Sequence, residues 1–140
     1  MNNHNKSDIW DTYLNSYIID DDIVWAGPNA GTLPFETPIH VITACNPLSK
    51  KLSDKENQQR NQLLLDQLRT LNLKIKPVIG CSPGKNWQEP SFAVFGLSRR
   101  EACKIANEFN QRGIFEIVGN ELKVIATQNY ETKKYKLRAT

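Results

Sequence analysis

The chain has 140 residues, of which 39% are hydrophobic and 24% are charged, and its formal net charge is +3. This length and composition are typical of one globular domain and argue against a disordered chain. No apolar run reaches the roughly 18 residues that span a bilayer, and the polar start MNNHNKSDIW lacks the apolar core of a signal peptide. We therefore expect a cytoplasmic protein without a membrane partner.

The three cysteines, Cys45, Cys81 and Cys103, are widely spaced and have no CxxC or histidine-rich companion. An odd, scattered set of this kind predicts neither a disulfide framework nor a zinc site. We expect reduced thiols, with Cys45 and Cys103 acting as small hydrophobic side chains. Phosphate-binding, dinucleotide-binding and metalloprotease motifs are absent as well, so the sequence implies no cofactor.

Basic residues are concentrated at the C-terminal end of the chain. Residues 129–140 carry a local charge of +3, which leaves the rest of the chain neutral. The charge comes from Lys133, Lys134, Lys136 and Arg138 against Glu131. We predict a single domain over residues 1–128 and a basic tail over residues 129–140. Such a tail is most often a solvated terminus, and binding to nucleic acid phosphates is the alternative.

The first elements of the chain are predicted to be a short helix and two short strands. Apolar side chains recur every four residues over Asp8–Tyr17, which is typical of a helix. Tyr17–Ile19 and Ile23–Trp25 then flank Asp20–Asp22, a pattern that favours two strands joined by a tight turn. A calcium loop is the alternative, but its glycine bend and distal glutamate do not follow, so we expect no metal there.

A buried strand is predicted next, after a proline- and glycine-rich loop over residues 27–38. Ile39–Cys45 has the sequence IHVITAC, which is almost entirely apolar or β-branched. Such a run suits a central strand covered on both faces. The strand is predicted to end at Asn46–Pro47.

The clearest helix signal lies over Ser53–Leu71. Ser53 and Glu56 match a capping box at its start. The core stripe consists of Leu64, Leu68 and Leu71. Extending this stripe backwards by helical steps reaches Asn61 and Asn57, so the inward face changes from apolar to polar near the start of the helix. Polar groups on an inward face need partners, which can be backbone, water or a ligand.

Two strands and a loop follow this helix. Lys74–Gly80 and Ser91–Leu97 are predicted as strands, and the proline-containing segment Cys81–Pro90 between them as a loop.

The last predicted elements are a helix and a hairpin. Ser98 and Glu101 repeat the capping box. The apolar face of the helix consists of Ala102, Ile105, Ala106 and Phe109. Gly113 is predicted to cap this helix, and Ile114–Val118 with Leu122–Ala126 to form the hairpin.

The order of these elements predicts an α+β fold. We expect a single small domain with a mixed or antiparallel sheet, two main helices packed on one face and a short N-terminal helix. The pattern does not predict the strand order.

The first candidate site lies between the central strand and the following helix. Asn46 ends the strand, and Asn57, Arg60 and Asn61 occupy the first turns of the helix. A helix N-terminus near a strand end favours an anion, and the guanidinium of Arg60 suits phosphate or carboxylate. The alternative is structural: asparagines that bind backbone and an arginine in a surface salt bridge.

The second candidate site is centred on Glu89 and Trp87. Pro90 restricts the preceding residue to an extended conformation and so fixes the carboxylate of Glu89, which is the candidate catalytic general base. Trp87 would stack on a flat ring of a ligand. The alternative is a surface salt bridge and a core tryptophan. We interpret His4 and His40 as structural, because no triad spacing accompanies them.

Four motifs follow one another at the ends of the predicted elements. They are TACNP at Thr43–Pro47, LSDKENQQR at Leu52–Arg60, EPS at Glu89–Ser91 and FNQ at Phe109–Gln111. In type, order and spacing they resemble the bacterial domain-of-unknown-function family 3293. The resemblance implies a single small domain with polar residues at the ends of its elements, and it implies no activity and no catalytic residue. The family pattern FGQNA is replaced here by FNQRG.

These observations lead to three functional hypotheses. The first is a domain that binds a small molecule of polar, anionic or nucleotide type, with or without catalysis. The alternative is a non-catalytic interaction module that contacts nucleic acid or a protein partner through its basic tail and through Arg99 and Arg100. The third is a structural partner in a complex, docked through an uncovered sheet face.

Overall fold

A computed structural model describes residues 17–20, 23–24, 38–81, 88–118, 121–130 and 132–136. Its strands are β1 (Tyr17–Asp20), β2 (Ile23–Val24), β3 (Ile39–Ile42), β4 (Lys74–Cys81), β5 (Gln88–Phe95), β6 (Gly113–Val118), β7 (Glu121–Ala126) and β8 (Thr132–Lys136). Helix α1 (Asp54–Arg69) lies between β3 and β4, and α2 (Arg99–Glu108) lies between β5 and β6. The helix predicted over Asp8–Tyr17 lies outside the described residues except for Tyr17, which begins β1.

The described strands form one sheet in the order β2-β1-β4-β5-β3-β6-β7-β8. All neighbouring pairs in it are antiparallel. The predicted α+β class is confirmed, and the sheet is the antiparallel form of the two that were expected. β3 lies between β5 and β6 and all four of its residues are buried, so the predicted central strand is confirmed.

Local capping signals set the starts of both helices. The side chains of Ser53 and Ser98 each accept a hydrogen bond from the backbone N–H three residues later, and the carboxylate of the glutamate there accepts one from the serine backbone N–H. Both predicted capping boxes are therefore confirmed. In the predicted stripe of α1, Leu64 and Leu68 are fully buried. Leu71 is 38% exposed, because α1 ends at Arg69 and Leu71 lies in the turn beyond it.

The end of α2 differs from the prediction. Asn110, at φ +58°, is the left-handed residue that stops the helix. Gln111 N–H then binds Ala106 O and Asn110 N–H binds Asn107 O, the two bonds of a Schellman motif. Asparagine tolerates this conformation better than most side chains. Gly113 was predicted as the cap, but it is the first residue of β6.

Apolar side chains pack on both faces of the sheet. One buried layer joins strand residues such as Ile42 and Val94 to helix residues such as Leu64 and Ala102. The other layer consists of strand residues, among them Ile39, Val41, Phe115, Ile117 and Val124. The residues of this second layer are buried as well.

Two strand boundaries near the candidate site differ from the prediction. β3 ends at Ile42 and not at Cys45, because Ala44 N–H binds Asn61 Oδ1 and Cys45 N–H binds Thr43 Oγ1 instead of a neighbouring strand. β5 begins at Gln88, within the predicted loop. Pro90 fits there because β3 ends opposite Phe92, so no strand ladder needs an N–H from the proline on that side.

Part of the predicted C-terminal tail is a strand. Thr132–Lys136 forms β8, which pairs with β7 along its length. The predicted hairpin of β6 and β7 is confirmed, and β8 extends it into a third antiparallel strand. No helix in the described part of the chain is both long enough and apolar enough to cross a membrane.

Candidate functional site

Asn46 is the centre of a polar cluster at the exit of β3. Its N–H donates to Asn57 Oδ1 at 2.9 Å, and its Oδ1 accepts from Asn57 Nδ2 at 2.9 Å. Leu52 N–H donates to the same Oδ1 at 2.9 Å. The amide Nδ2 of Asn46 donates to Glu89 Oε2 at 2.7 Å. One side chain thus ties the loop after β3 to α1 and to β5.

Asn61 and Arg60 hold the backbone that leads into this loop. Asn61 is 7% exposed, accepts from Ala44 N–H at 2.8 Å and donates to Pro90 O at 2.8 Å. Arg60 donates from Nε to Ala44 O at 2.6 Å and from Nη2 to Phe109 O. Asn61 binds backbone groups, as the structural alternative predicted, whereas Arg60 binds two backbone carbonyl oxygens where that alternative predicted a surface salt bridge.

Arg60 retains hydrogen-bonding capacity after these contacts. A guanidinium carries five N–H groups, and two of them are engaged by carbonyl oxygens. The side chain is half-buried, and no carboxylate in the described part of the chain forms an ion pair with it. A half-buried cation that is bound by neutral groups attracts an anion.

The helix N-terminus contributes less to anion binding than the sequence suggested. The first turn of α1 already carries the carboxylates of Asp54 and Glu56, and Glu56 accepts hydrogen bonds from Ser53. These groups occupy the positive end of the helix dipole. Any attraction for an anion at this site therefore comes from Arg60.

Glu89 is a buried carboxylate in β5, 7% exposed and paired in register with Gly80. It lies in a strand and not in the predicted loop, and its contact with Asn46 brings the two predicted candidate sites together. Trp87 lies outside the described residues. Of the six predicted site residues, the structure joins five: Asn46, Asn57, Arg60, Asn61 and Glu89.

The loop between β3 and α1 has an unusual backbone. Asn46, Leu48 and Ser49 all have positive φ values, of 48°, 53° and 63°. Leu48 is also 50% exposed, and its N–H binds Asn110 O at 2.8 Å. A bulky side chain in the left-handed region is strained, and such strain concentrates at functional sites.

Gln111 belongs to the same cluster, although it was not among the predicted site residues. It is 7% exposed, and its Nε2 donates to Cys45 O at 2.9 Å. Its carbonyl accepts from Thr127 Oγ1 at 2.6 Å. The signal that could have found Gln111 is its place in the FNQ motif after α2.

A second polar cluster contains His40 and Glu116, which lie opposite each other on the neighbouring strands β3 and β6. The Nε2 of His40 is 2.8 Å from Glu116 Oε2. Arg99 binds the same carboxylate through Nε at 3.1 Å and Nη2 at 2.8 Å, and Lys123 Nζ lies 3.8 Å away. Arg99, which the interaction hypothesis placed on the surface, has a side chain that is 38% exposed, and its guanidinium is held by this buried glutamate.

Burial and hydrogen bonding together set the pKa values of His40 and Glu116. Burial lowers the pKa of His40 below 6.5 and outweighs the hydrogen bond with Glu116, which acts in the opposite direction. Burial raises the pKa of Glu116, but the hydrogen bonds from Arg99 and His40 more than offset it and leave the pKa below 4.5. At neutral pH the histidine is neutral, with its proton on Nε2 facing the carboxylate. Its buried Nδ1 has no partner within the described residues.

Cys45 and Cys103 do not offer a thiolate nucleophile at neutral pH. All three cysteines are free and buried, as the expected small hydrophobic side chains would be. Burial raises the pKa of Cys45, and it raises that of Cys103 to about 11. Within the described ranges of the chain, no group of three or more His, Cys, Asp or Glu side chains is arranged to hold a metal ion.

The fold and the cluster define a small α+β domain with one antiparallel sheet and a polar centre at the exit of its middle strand. The chain belongs to the family described as Protein of unknown function (DUF3293), which matches residues 42–114, more than half of its length. The match begins in β3 and ends in β6, so it contains all the residues of the Asn46 cluster. No curated protein and no solved structure matches the chain.

Proposed function

We propose that this domain binds a small polar molecule with an anionic group at the exit of β3. Arg60 would contact the anionic group. Asn46, Asn57 and Glu89 would shape the polar wall of the site and position the rest of the ligand. If the bound molecule reacts, Glu89 is the candidate general base.

The observation that carries the proposal is the state of Arg60. Its guanidinium is half-buried in the Asn46 cluster, and two carbonyl oxygens are its hydrogen-bond partners in the described part of the chain. A cation held in this way has a fixed orientation and three further N–H groups to offer. A purely structural arginine is usually neutralised by a carboxylate when it is partly buried.

The strained loop gives independent support. Holding Leu48 and Ser49 in the left-handed region costs about 1–2 kcal/mol per residue, and the Asn46 hydrogen bonds keep the loop in that form. A rigid loop next to a fixed cation is preorganised, which lowers the entropic cost of binding a ligand.

The proposal is tested by thermal unfolding against inorganic phosphate, sugar phosphates, nucleotides and amino acids. A ligand at about one hundred times its dissociation constant adds roughly 2.7 kcal/mol and raises the midpoint by several degrees. The variants are Arg60→Lys, which keeps the charge but loses the planar fork, and Glu89→Gln, which keeps the shape of the side chain. Arg69→Lys, at an exposed position of the same helix, is the matched control.

The readout is the ligand-induced shift within each variant, so a lower midpoint of the unliganded variant does not obscure it. We expect one ligand class to stabilise the wild type and Arg69→Lys, and to stabilise Arg60→Lys much less. The proposal is overturned if no ligand in the panel raises the unfolding midpoint of the wild type, or if the midpoint of Arg60→Lys rises equally. The Asn46 cluster would then have a structural role.

A further inference from the structure

An open groove of about 490 Å³ lies between the outer face of α2 and the connection from β7 to β8. It is lined by Arg100, Lys104, Asn107, Glu108 and Tyr130. The four helix residues follow one another at helical steps, so they share one face of α2. None of the Asn46 cluster residues lines this groove, so it is separate from the proposed site above.

Two of the described residues that line the groove are cations. Arg100 and Lys104 are exposed and lie four residues apart, and neither forms an ion pair within the described residues. Like charges at this spacing repel each other and destabilise a helix. Glu108, the one acid in the lining, accepts from Gln67 Nε2 at 3.3 and 3.4 Å on the side of α1. An anion bound between Arg100 and Lys104 would remove their repulsion.

An exposed aromatic ring completes the lining. Tyr130 is 46% exposed and has φ +60°, an unfavourable conformation for this side chain. The turn keeps it there: Tyr130 N–H binds Ala126 O at 2.8 Å, and Thr132 Oγ1 donates to Tyr130 O at 2.9 Å. The backbone of Tyr130 is therefore held by the turn, and Tyr130 lines the groove together with the two cations.

The turn that carries Tyr130 is also fixed to α2. Asn107 Nδ2 donates to Thr127 O at 2.8 Å. Thr127 N–H in turn binds Arg112 O at 3.0 Å. The two walls of the groove are thus connected by hydrogen bonds.

We infer that this groove binds a nucleotide unit, with Tyr130 stacking on the base and Arg100 and Lys104 contacting the phosphate. Stacking on an aromatic side chain tolerates every base, and paired cations are the usual partners of a phosphate. A volume of about 490 Å³ is within the range of small-ligand sites. The nucleotide unit has two sources, a free nucleotide or a single-stranded nucleic acid.

The test uses the full chain with two probes. A fluorescein-labelled single-stranded oligonucleotide is followed by anisotropy as a function of salt, and AMP is followed by calorimetry. The variants are Arg100→Ala with Lys104→Ala, and Tyr130→Gly. Glycine adopts a positive φ without cost, so Tyr130→Gly removes the ring without straining the turn. The matched control is Lys55→Ala with Arg69→Ala, which removes the same charge from exposed positions on α1.

We expect the double variant in α2 to weaken binding at least tenfold and to reduce the salt dependence by about one counterion, whereas the control stays close to wild type. Tyr130→Gly should weaken binding on the order of tenfold, and Tyr130→Phe should not. Binding of AMP as well as the oligonucleotide assigns the groove to nucleotides in general; binding of the oligonucleotide alone assigns it to single strands.

The inference is overturned if neither probe binds the wild type, or if the α2 double variant binds as tightly as the α1 control. Arg60→Lys should bind the oligonucleotide like the wild type. That variant therefore separates a failure of the groove from a failure of the site at the exit of β3.

Discussion

Asn46 and Glu89 are 43 residues apart in the chain, yet the amide Nδ2 of Asn46 lies 2.7 Å from a carboxylate oxygen of Glu89. The hydrogen bond joins the loop after β3 to the first residues of β5. Because Asn46 Oδ1 accepts from Leu52 N–H and from Asn57 while its Nδ2 donates to Glu89, residue 46 needs both an acceptor and a donor, which an amide supplies. A substitution at Asn46 therefore tests this arrangement directly.

Asn46→Asp should destabilise the fold although it changes the side chain by only one group. The new carboxylate would face that of Glu89 at hydrogen-bond distance, where like charges repel and one carboxyl must bind a proton. We expect a loss of about 2–4 kcal/mol at pH 7, measured by urea unfolding. The loss should shrink as the pH is lowered, because protonation of either carboxyl restores a hydrogen bond.

The control for this prediction is Asn72→Asp. Asn72 also has a positive φ, of 56°, but it is exposed in the turn after α1. The same substitution there should cost well under 1 kcal/mol, through its unfavourable place near the helix C-terminus. Equal losses at positions 46 and 72 would show that backbone conformation, and not the contact with Glu89, sets the cost at Asn46.

Asn61→Leu tests the support of the strand exit. Leucine has a similar size but cannot accept from Ala44 N–H, which would then be buried without a partner. An unsatisfied buried donor costs about 1–3 kcal/mol, and the bond to Pro90 O is lost as well. We expect a fall of at least 2 kcal/mol in the free energy of unfolding, measured by urea or thermal denaturation.

Gln62→Leu is the matched control for Asn61→Leu, since Gln62 is the exposed neighbour of Asn61 on α1 and its amide donates to Asp66 Oδ1. It should change stability by about 0.5 kcal/mol or less. If Asn61→Leu is no more harmful than Gln62→Leu, the amide of Asn61 is dispensable for the strand exit and is more available to a ligand.

The sequence predicted those features that depend on neighbours along the chain. Ser53 and Ser98 reveal the starts of the two helices because a capping box is complete within four residues. The change from apolar to polar residues on the inward face of α1 identified Asn57 and Asn61 as side chains in need of partners. These signals are local, so no knowledge of the strand order was required.

The features that the sequence did not predict depend on contacts between distant segments of the chain. The start of β5 was not predicted because Pro90 indicated a loop. The proline is tolerated in the strand because β3 ends opposite Phe92. The pairing of His40 with Glu116 depends on strand register across 76 residues, which the sequence pattern did not supply. For the same reason, the contact that unites the two candidate sites, between Asn46 and Glu89, appeared only in the fold.

We expect the free energy of unfolding to decrease in two steps as the pH is lowered, one step due to His40 and the other to Glu116. His40 has a lowered pKa when folded, so below pH 6.5 the unfolded chain takes up a proton that the folded chain resists. Its contribution is complete above 6.5 and is lost as the pH falls below that value. Glu116 also has a lowered pKa, so its contribution is complete above 4.5 and is lost as the pH falls further.

The measurement is the urea midpoint between pH 8 and pH 4 for the wild type and His40→Phe. The variant should lack the decline that begins near pH 6.5 but keep the lower one, because Arg99 still binds Glu116 at 2.8 Å. A variant that declines like the wild type between pH 7 and pH 5 would assign that step to other groups.

The loop strain at Leu48 predicts that two substitutions act in opposite directions. Leu48 has φ +53° and is half exposed, so Leu48→Gly relieves the backbone while removing little buried surface. We expect Leu48→Gly to unfold no earlier than the wild type.

Leu48→Val places a β-branched side chain in the same left-handed conformation and should lower the free energy of unfolding by about 1 kcal/mol. Thermal unfolding of the two variants side by side checks both. If glycine is the more harmful of the two, the leucine side chain itself holds the loop, and the hydrogen bonds from Asn46 and Asn57 are not sufficient to fix it. If the order is as expected and the glycine variant loses ligand binding, the strain is retained for the site and not for the fold.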